Sequence, residues 1–258
     1  PFLPDRTYGF NDLLNPFEIG SVVVIVSFLY FFGYFLVMFV GSRRGILLTA
    51  ILGGLISSTA VTWNYATRSK NTPELSREYS AGILIASAIM FPRLALLAAI
   101  FNITILNYLA VPLTILTLIC LVPAILYIKK DSGRAATDID LGNPLNILNA
   151  LGFAVIYVVI LFAVYYSYAY LGQSGLYYSA LIAGLADTTA ITINMSKFAL
   201  EGEQLDLAAS VIIAATLSNT LVKLAISFTN GSKAMGRLVG SIFGGVVLFG
   251  LLYILISK

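Results

Sequence analysis

The stretch GGLISSTAVTWN at Gly53–Asn64 returns as AGLADTTAITIN at Ala183–Asn194, displaced by 130 residues without a gap. Extended upstream, Gly45–Asn64 and Gly175–Asn194 agree at eight of twenty positions. Apolar segments share Leu and Ala by chance, but shared Gly, Thr and Asn are harder to obtain that way. The same offset carries Arg93 of MFPRLA onto Lys223 of LVKLA, and Asn15-Pro16 is echoed by Asn143-Pro144. The chain therefore reads as a tandem duplication: a first membrane repeat over 1–128, a charged linker over 129–142 and a second membrane repeat over 143–258.

The surroundings of the two copies set the solvent. Of 258 residues, 59% are hydrophobic and 10% charged, against roughly a quarter charged in an ordinary soluble domain. Apolar segments of about 20 residues, enough to cross the hydrocarbon as helices, recur along the chain. They predict spans at about Ile19–Val40, Ile46–Ala66, Ala81–Phe101, Leu109–Ile128, Leu148–Leu171, Leu176–Phe198, Leu207–Phe228 and Leu238–Ile256. The fold class expected is an all-α integral membrane protein, a bundle of about eight transmembrane helices built from two tandem four-span repeats. Four spans per copy would make the repeats parallel. An odd number, with one hydroxyl-rich span re-entering instead of crossing, would make them inverted, and both remain open at this point.

Composition also excludes chemistry. There is no histidine, and the single cysteine, Cys120, sits in the apolar run LTLICLVPAIL, which leaves no zinc site, thiol pair or Cys/His nucleophile. Ser218 with Lys223 is a weak catalytic pair, so the chain is expected not to be an enzyme and to carry no cofactor. The net charge is +3, and the basic residues fall in loops, where they orient a membrane protein rather than bind nucleic acid. If all eight spans cross, Arg6, Arg68, Lys70, Arg77, Lys129, Lys130, Arg134, Lys197 and Lys258 share the side of both termini, and Arg43, Arg44, Lys233 and Arg237 the other. That distribution predicts cytoplasmic termini, in the inner (cytoplasmic) membrane of a bacterium or archaeon.

Polar atoms inside the spans mark the candidate site. Ser57, Ser58, Thr59, Thr62 and Asn64 lie in the second span, and Asp187, Thr188, Thr189, Thr192 and Asn194 in the sixth. Small residues four apart, such as Gly54/Ser58 and Gly184/Thr188, let helices approach closely, so packing alone is one explanation. The other is a polar or unwound stretch lining a cavity near mid-membrane. Asp187 weighs toward function, because a carboxylate at the bilayer centre costs on the order of 2.5–3.5 kcal/mol. Lys223 is its expected partner, with Arg93 the counterpart cation in the first copy. Arg93, Asp187 and Lys223 sum to +1: either Asp187 holds a proton or cation, or the two cations hold an anion.

Several segments carry a resemblance: LPDRTYG at Leu3–Gly9 and the following NPFEI, GSRRGILLTAILGGLISSTAVT at Gly41–Thr62, AGILIASAIMFPR at Ala81–Arg93, GLADTTAIT at Gly184–Thr192 and SNTLVK at Ser218–Lys223. Together they resemble the C-terminal multi-pass domain, of unknown function, of MgtC/SapB-family membrane proteins. The resemblance implies an N-terminal MgtC-type membrane domain ahead of Pro1, consistent with a chain that starts without Met. The family's second-copy motif has the form Gly-Leu-x-Asp-x-Asp-Ala. Here Asp187 matches the first acid but Thr189 stands at the second, which argues against a two-carboxylate metal site and leaves any metal undetermined.

The function expected is transport or channelling of a small ion or polar solute at the repeat interface. Asp187, Lys223 and Arg93 supply charge, and Ser58, Thr59, Thr62, Asn64, Thr188, Thr189, Thr192 and Asn194 supply neutral ligands. The partners are the lipid bilayer and the solute, with a homo-oligomer left open and no nucleic acid. The alternative is a non-transporting regulatory or scaffold module that binds another membrane protein through Gly/Ser faces.

Overall fold

The computed structural model describes residues 3–9, 13–40, 45–128, 147–202 and 204–256, so the charged linker over 129–142 lies outside the described residues, as do Arg43 and Arg44. Among the described residues the chain is helical, with a lone antiparallel bridge between Tyr8 and Leu14. The helices are α1 (Pro16–Val40), α2 (Ile46–Asn71), α3 (Ser76–Phe101), α4 (Leu106–Tyr127), α5 (Ile147–Leu171), α6 (Gln173–Ala186), α7 (Thr189–Gly202), α8 (Leu205–Asn230) and α9 (Lys233–Ile256). Helix is what hydrocarbon demands, because each backbone N–H and C=O must be satisfied within its own segment. Seven of the described helices are long and apolar enough to cross a membrane, the mark of a helical integral membrane protein. Large apolar side chains such as Phe28, Leu126 and Ile182 face outward, as they would toward lipid.

Two of the expected spans are not straight crossings. In α2, Ser57 takes an extended backbone (φ −154°, ψ 104°), and the chain turns back there. The Tyr65 hydroxyl donates to the Ile46 carbonyl at 2.5 Å. In a straight helix those residues would lie about 28 Å apart, at 1.5 Å of rise per residue. The limbs 46–56 and 58–71 therefore lie side by side, and Gly82 of α3 sits against both. A Cβ on Gly82 would fall 2.4 Å from the Tyr65 ring and 3.3 Å from the Ala50 Cβ.

The expected sixth span, Leu176–Phe198, is likewise two helices of 14 residues, α6 and α7, divided at Asp187. Gly175 at the start of α6 lies against Ser167 of α5, and the Phe198 ring near the end of α7 packs edge-on against Tyr168 at 5.2 Å. Both outer ends of this pair thus sit at the C-terminal end of α5, which makes it a second folded-back hairpin. A single physical cause serves both. Ser57 and Asp187 carry short side-chain oxygens that cap a new helix, and an extended residue there ends the preceding one.

The long helices show how the two hairpins face each other. At the start of α3, the Ser76 and Ser232 hydroxyls are 2.7 Å apart, Lys70 Nζ donates to the Thr229 carbonyl and Ser232 N donates to Ser69 Oγ, so α8 ends where α3 begins. At the far end of α3, Asn102 Nδ2 donates to the Ser196 carbonyl, beside the end of α7 and the start of α8. Helices α3 and α8 are therefore antiparallel. The second limb of α2 packs on α8 and α7 packs on α3, which brings the two hairpin tips together between them.

Candidate functional site

Each hairpin tip is a helix start held by its own first residue. Ser57 Oγ accepts the Ala60 N–H at 3.2 Å, and Asp187 Oδ1 accepts the Thr189 N–H. Ser and Asp are both favoured helix caps, which answers why the copies differ at this position without differing in fold. The Asp187 carboxylate also complements the positive end of α7, a favourable placement for an anion.

The cations come from α3 and α8, and each reaches a hairpin tip. Arg93 donates through one terminal nitrogen to the Leu55 and Ile56 carbonyls at 2.9 and 3.0 Å, groups freed where the first limb of α2 ends. Its other terminal nitrogen donates to Thr189 Oγ1 at 3.3 Å. Its guanidinium carbon stands 5.6 Å from the centre of the Tyr30 ring of α1, a cation–π distance. Lys223, fully buried, donates to Ser58 Oγ at 3.2 Å, Ser87 Oγ at 3.3 Å and Met90 Sδ at 3.4 Å. Ser58 and Thr189 are each in the first turn after a break. Lys223 thus holds the first hairpin, and Arg93 bridges the first hairpin to the second.

The expected Asp187–Lys223 ion pair is not formed. Among the described residues, no carboxylate lies within 4.0 Å of Lys223 or Arg93; the ion pair found joins Lys197 to Glu18 at 2.6 Å. The expected pairing took Leu176–Phe198 as one unbroken span. The fold-back at Asp187 turns its carboxylate to the N-terminus of α7, while Lys223 faces Ser58 of α2 and Ser87 and Met90 of α3.

The neutral residues divide into four groups. Ser58 and Thr189 meet the cations directly. Thr62 and Thr192 donate back to the Ser58 and Thr188 carbonyls, both at 2.8 Å, so these hydroxyls hold the returning limbs. Thr59 and Thr188 lie in the first turns beside the tips, half-buried and buried. Asn64 and Asn194 lie about two turns down the returning limbs, and each keeps a buried Oδ1 without a hydrogen-bond partner. Asn194 lines a cavity of about 390 Å³ between α1, α5 and α7, together with Glu18, Tyr157, Tyr165, Tyr168 and Lys197.

Sequence comparison of the copies passes over Tyr30, Ser87 and Met90, and over the pair that closes the end of α6. Ser218 Oγ donates to the Leu181 carbonyl at 2.6 Å and Asn219 Nδ2 to the Gly184 carbonyl at 3.1 Å. At the 130-residue offset Ser87 and Met90 become Leu217 and Thr220, and Ser218 and Asn219 become Ala88 and Ile89, so no recurrence points to them. The packing explanation holds for the glycines. A Cβ on Gly54 would fall 2.7 Å from Ala86 Cα, and one on Gly184 would fall 2.3 Å from the Ala215 carbonyl oxygen.

The model of a family described as a domain of unknown function, DUF4010, matches residues 24–231, which contain both hairpins and both cations. The chain belongs to the DUF4010 family. An uncharacterized protein of Aquifex aeolicus is 29% identical over 193 residues, covering 74% of this chain and 84% of that relative. No solved structure matches. The DUF4010 match stops short of α9, which packs on α4 and α8 outside the paired tips.

Proposed function

We propose that this DUF4010 domain carries a small ion or polar solute across the membrane, along a pathway at the paired hairpin tips. The single observation that supports this best is the reciprocal contact: Arg93 to Thr189 and Lys223 to Ser58, at helix breaks in corresponding places of both copies. Broken helices in duplicated membrane bundles place polar backbone ends at mid-depth, where they serve a solute. Asp187, Lys223 and Arg93 are the charged elements. Ser58, Thr59, Thr62, Thr188, Thr189 and Thr192 flank them, with Asn64 and Asn194 further along the returning limbs.

In this proposal α1, α3, α4, α5, α8 and α9 cross and the two hairpins re-enter. Three crossings per copy make the repeats inverted, in place of two parallel four-span repeats. The chain ends then share one face with Arg6 and Lys197, while Arg68, Lys70, Arg77, Lys233 and Arg237 lie at the face where α3 begins. Among the described residues, five loop cations against two favour a cytoplasmic location for the latter face, and termini outside, in the inner membrane of a bacterium or archaeon. An MgtC-type domain ahead of this one, as the sequence resemblance implies, would be its neighbour in the membrane.

Flux into proteoliposomes across a panel of monovalent cations, divalent cations, anions and protons tests the transport proposal. The expected result is flux of one class that Asp187→Asn and Lys223→Met abolish while the variants remain folded. Absence of flux for every class, in vesicles that hold folded protein, overturns it and leaves the regulatory or scaffold module.

A further inference from the structure

Helix α9 has two faces of different chemistry. Met235, Gly236, Val239, Phe243, Val246 and Gly250 are buried against the bundle. On the other side Lys233, Arg237, Ser241, Gly244 and Leu248, spaced three or four residues apart, form one continuous exposed strip. Leu251 and Leu255 extend it, 50% and 67% exposed. Helix α8 borders the strip through Phe228, whose ring lies 2.8 Å from a Cβ placed on Gly240, and α4 borders it through Ile119, 3.8 Å from one placed on Gly245.

The strip passes from cationic to apolar along its length. Among the described residues, neither Lys233 nor Arg237 has a hydrogen-bonding or ionic partner. Neighbouring cations at the same face are engaged: Lys70 donates to the Thr229 carbonyl at 2.8 Å and Arg77 to the Leu126 carbonyl at 3.1 Å. The carboxylates described there, Glu74 and Glu78, are outnumbered by Arg68, Lys70, Arg77, Lys233 and Arg237. Beyond Arg237, Ser241 turns its hydroxyl onto the Leu238 carbonyl at 3.0 Å, and Gly244 has open space where a Cβ would stand. A shallow trough therefore leads from the two cations to Leu248. Arg237 and Leu248 lie about 16 Å apart along the helix axis, close to the roughly 15 Å of hydrocarbon in one leaflet.

We propose that this strip holds an anionic phospholipid, its phosphate between Lys233 and Arg237 and an acyl chain lying along Ser241 and Gly244 toward Leu248. A phosphate diester offers oxygens to a guanidinium fork and to an ammonium at once. A zwitterionic headgroup brings its own cation toward Lys233 and gains less. Charge complementarity thus selects the headgroup, and the trough selects the chain. Helix α9 is long and apolar enough to cross the membrane, and its place does not depend on whether the hairpins re-enter. Lipid binding here does not require transport, so loss of flux and loss of binding are distinguishable outcomes.

The test is thermal unfolding of the purified, delipidated protein in detergent with added phosphatidylglycerol, phosphatidylcholine or soluble glycerol phosphate. Phosphatidylglycerol is expected to raise the midpoint at a concentration about tenfold below that needed of phosphatidylcholine, with glycerol phosphate inactive. Lys233→Gln and Arg237→Gln should each raise the half-effective concentration of phosphatidylglycerol about tenfold, the loss of one charge-assisted contact. Arg77→Gln, at the same face but outside the strip, should leave it unchanged. Gly244→Leu fills the trough without altering charge, meets open space and so folds, and should also weaken the response. Equal responses to the two lipids, a response unchanged in both charge variants, or the same loss in Arg77→Gln overturns the proposal. A phosphatidylglycerol response that glycerol phosphate matches, or that Gly244→Leu leaves intact, means that the cations take a soluble anion, and overturns it as well.

Discussion

Lys223 Nζ lies 3.2 Å from the Ser58 hydroxyl, in the interior and between α8 and the tip of the first hairpin. Its three partners, Ser58, Ser87 and Met90, are all neutral. A buried ammonium so placed is a poor stabilising device, because desolvation is not offset by a counter-charge. Lys223→Met is therefore expected to keep thermal stability within about 1 kcal/mol of wild type or raise it, while abolishing flux. A large loss of stability in thermal unfolding would make Lys223 a structural residue instead.

Asp187 does a different job, and two substitutions separate its parts. Asp187→Ala removes the cap of α7 and should cost about 1 kcal/mol, roughly 2–4 °C in midpoint for a chain of this size. Asp187→Asn keeps an acceptor for the Thr189 N–H and should unfold near wild type. Equal destabilisation by both would show that the negative charge, not the cap, holds the tip.

Close backbone approach predicts steric intolerance at Gly54 and Gly184. Valine at either position drives a Cβ into Ala86 or Ala215 and should cost about 1–3 kcal/mol in thermal unfolding. Gly152 of α5 has open space around it, so Gly152→Ala should be neutral or stabilising by up to about 1 kcal/mol.

Removing the Tyr65 hydroxyl tests the fold-back itself. Tyr65→Phe deletes the bond to the Ile46 carbonyl and should cost about 1 kcal/mol, and Tyr65→Leu more, since the ring also fills the space over Gly82. An unchanged midpoint for both would speak against paired limbs.

Sidedness provides the most direct check on re-entry. In a Cys120→Ser background, Gly45→Cys and Asn71→Cys flank α2, and a membrane-impermeant maleimide should label both from the same side of the vesicle. Labelling from opposite sides would make α2 a crossing helix and restore the parallel arrangement.

The helical class and the polar tracts were legible because they depend on residue type and spacing alone. Span number was not. Ile46–Asn71 is apolar enough to cross, and nothing in its hydropathy registers that Ser57 is extended. Asp187 stood out by its charge, but its role as a cap depends on the break at that residue, and its assumed partner followed from a straight helix. Arg93 and Lys223 were found by recurrence, whereas Ser87 and Met90 escaped notice because each occurs in one copy only, and Ser218 was weighed as a partner of Lys223 rather than of the Leu181 carbonyl. A break signal was present in the shared Ser/Asp position, since both residues are commoner at helix starts than inside helices.

The short limbs of the hairpins have an electrical consequence. The first limb of α2, 46–56, spans about 16 Å, close to half of the roughly 30 Å of hydrocarbon. An ion resting at the tips would have traversed about half of the membrane voltage from either side, worth roughly 1.2 kcal/mol per unit charge at 100 mV. Occupancy of the tips by a charged solute would then depend on membrane potential, and loading from one face would be helped by the same field that hinders it from the other.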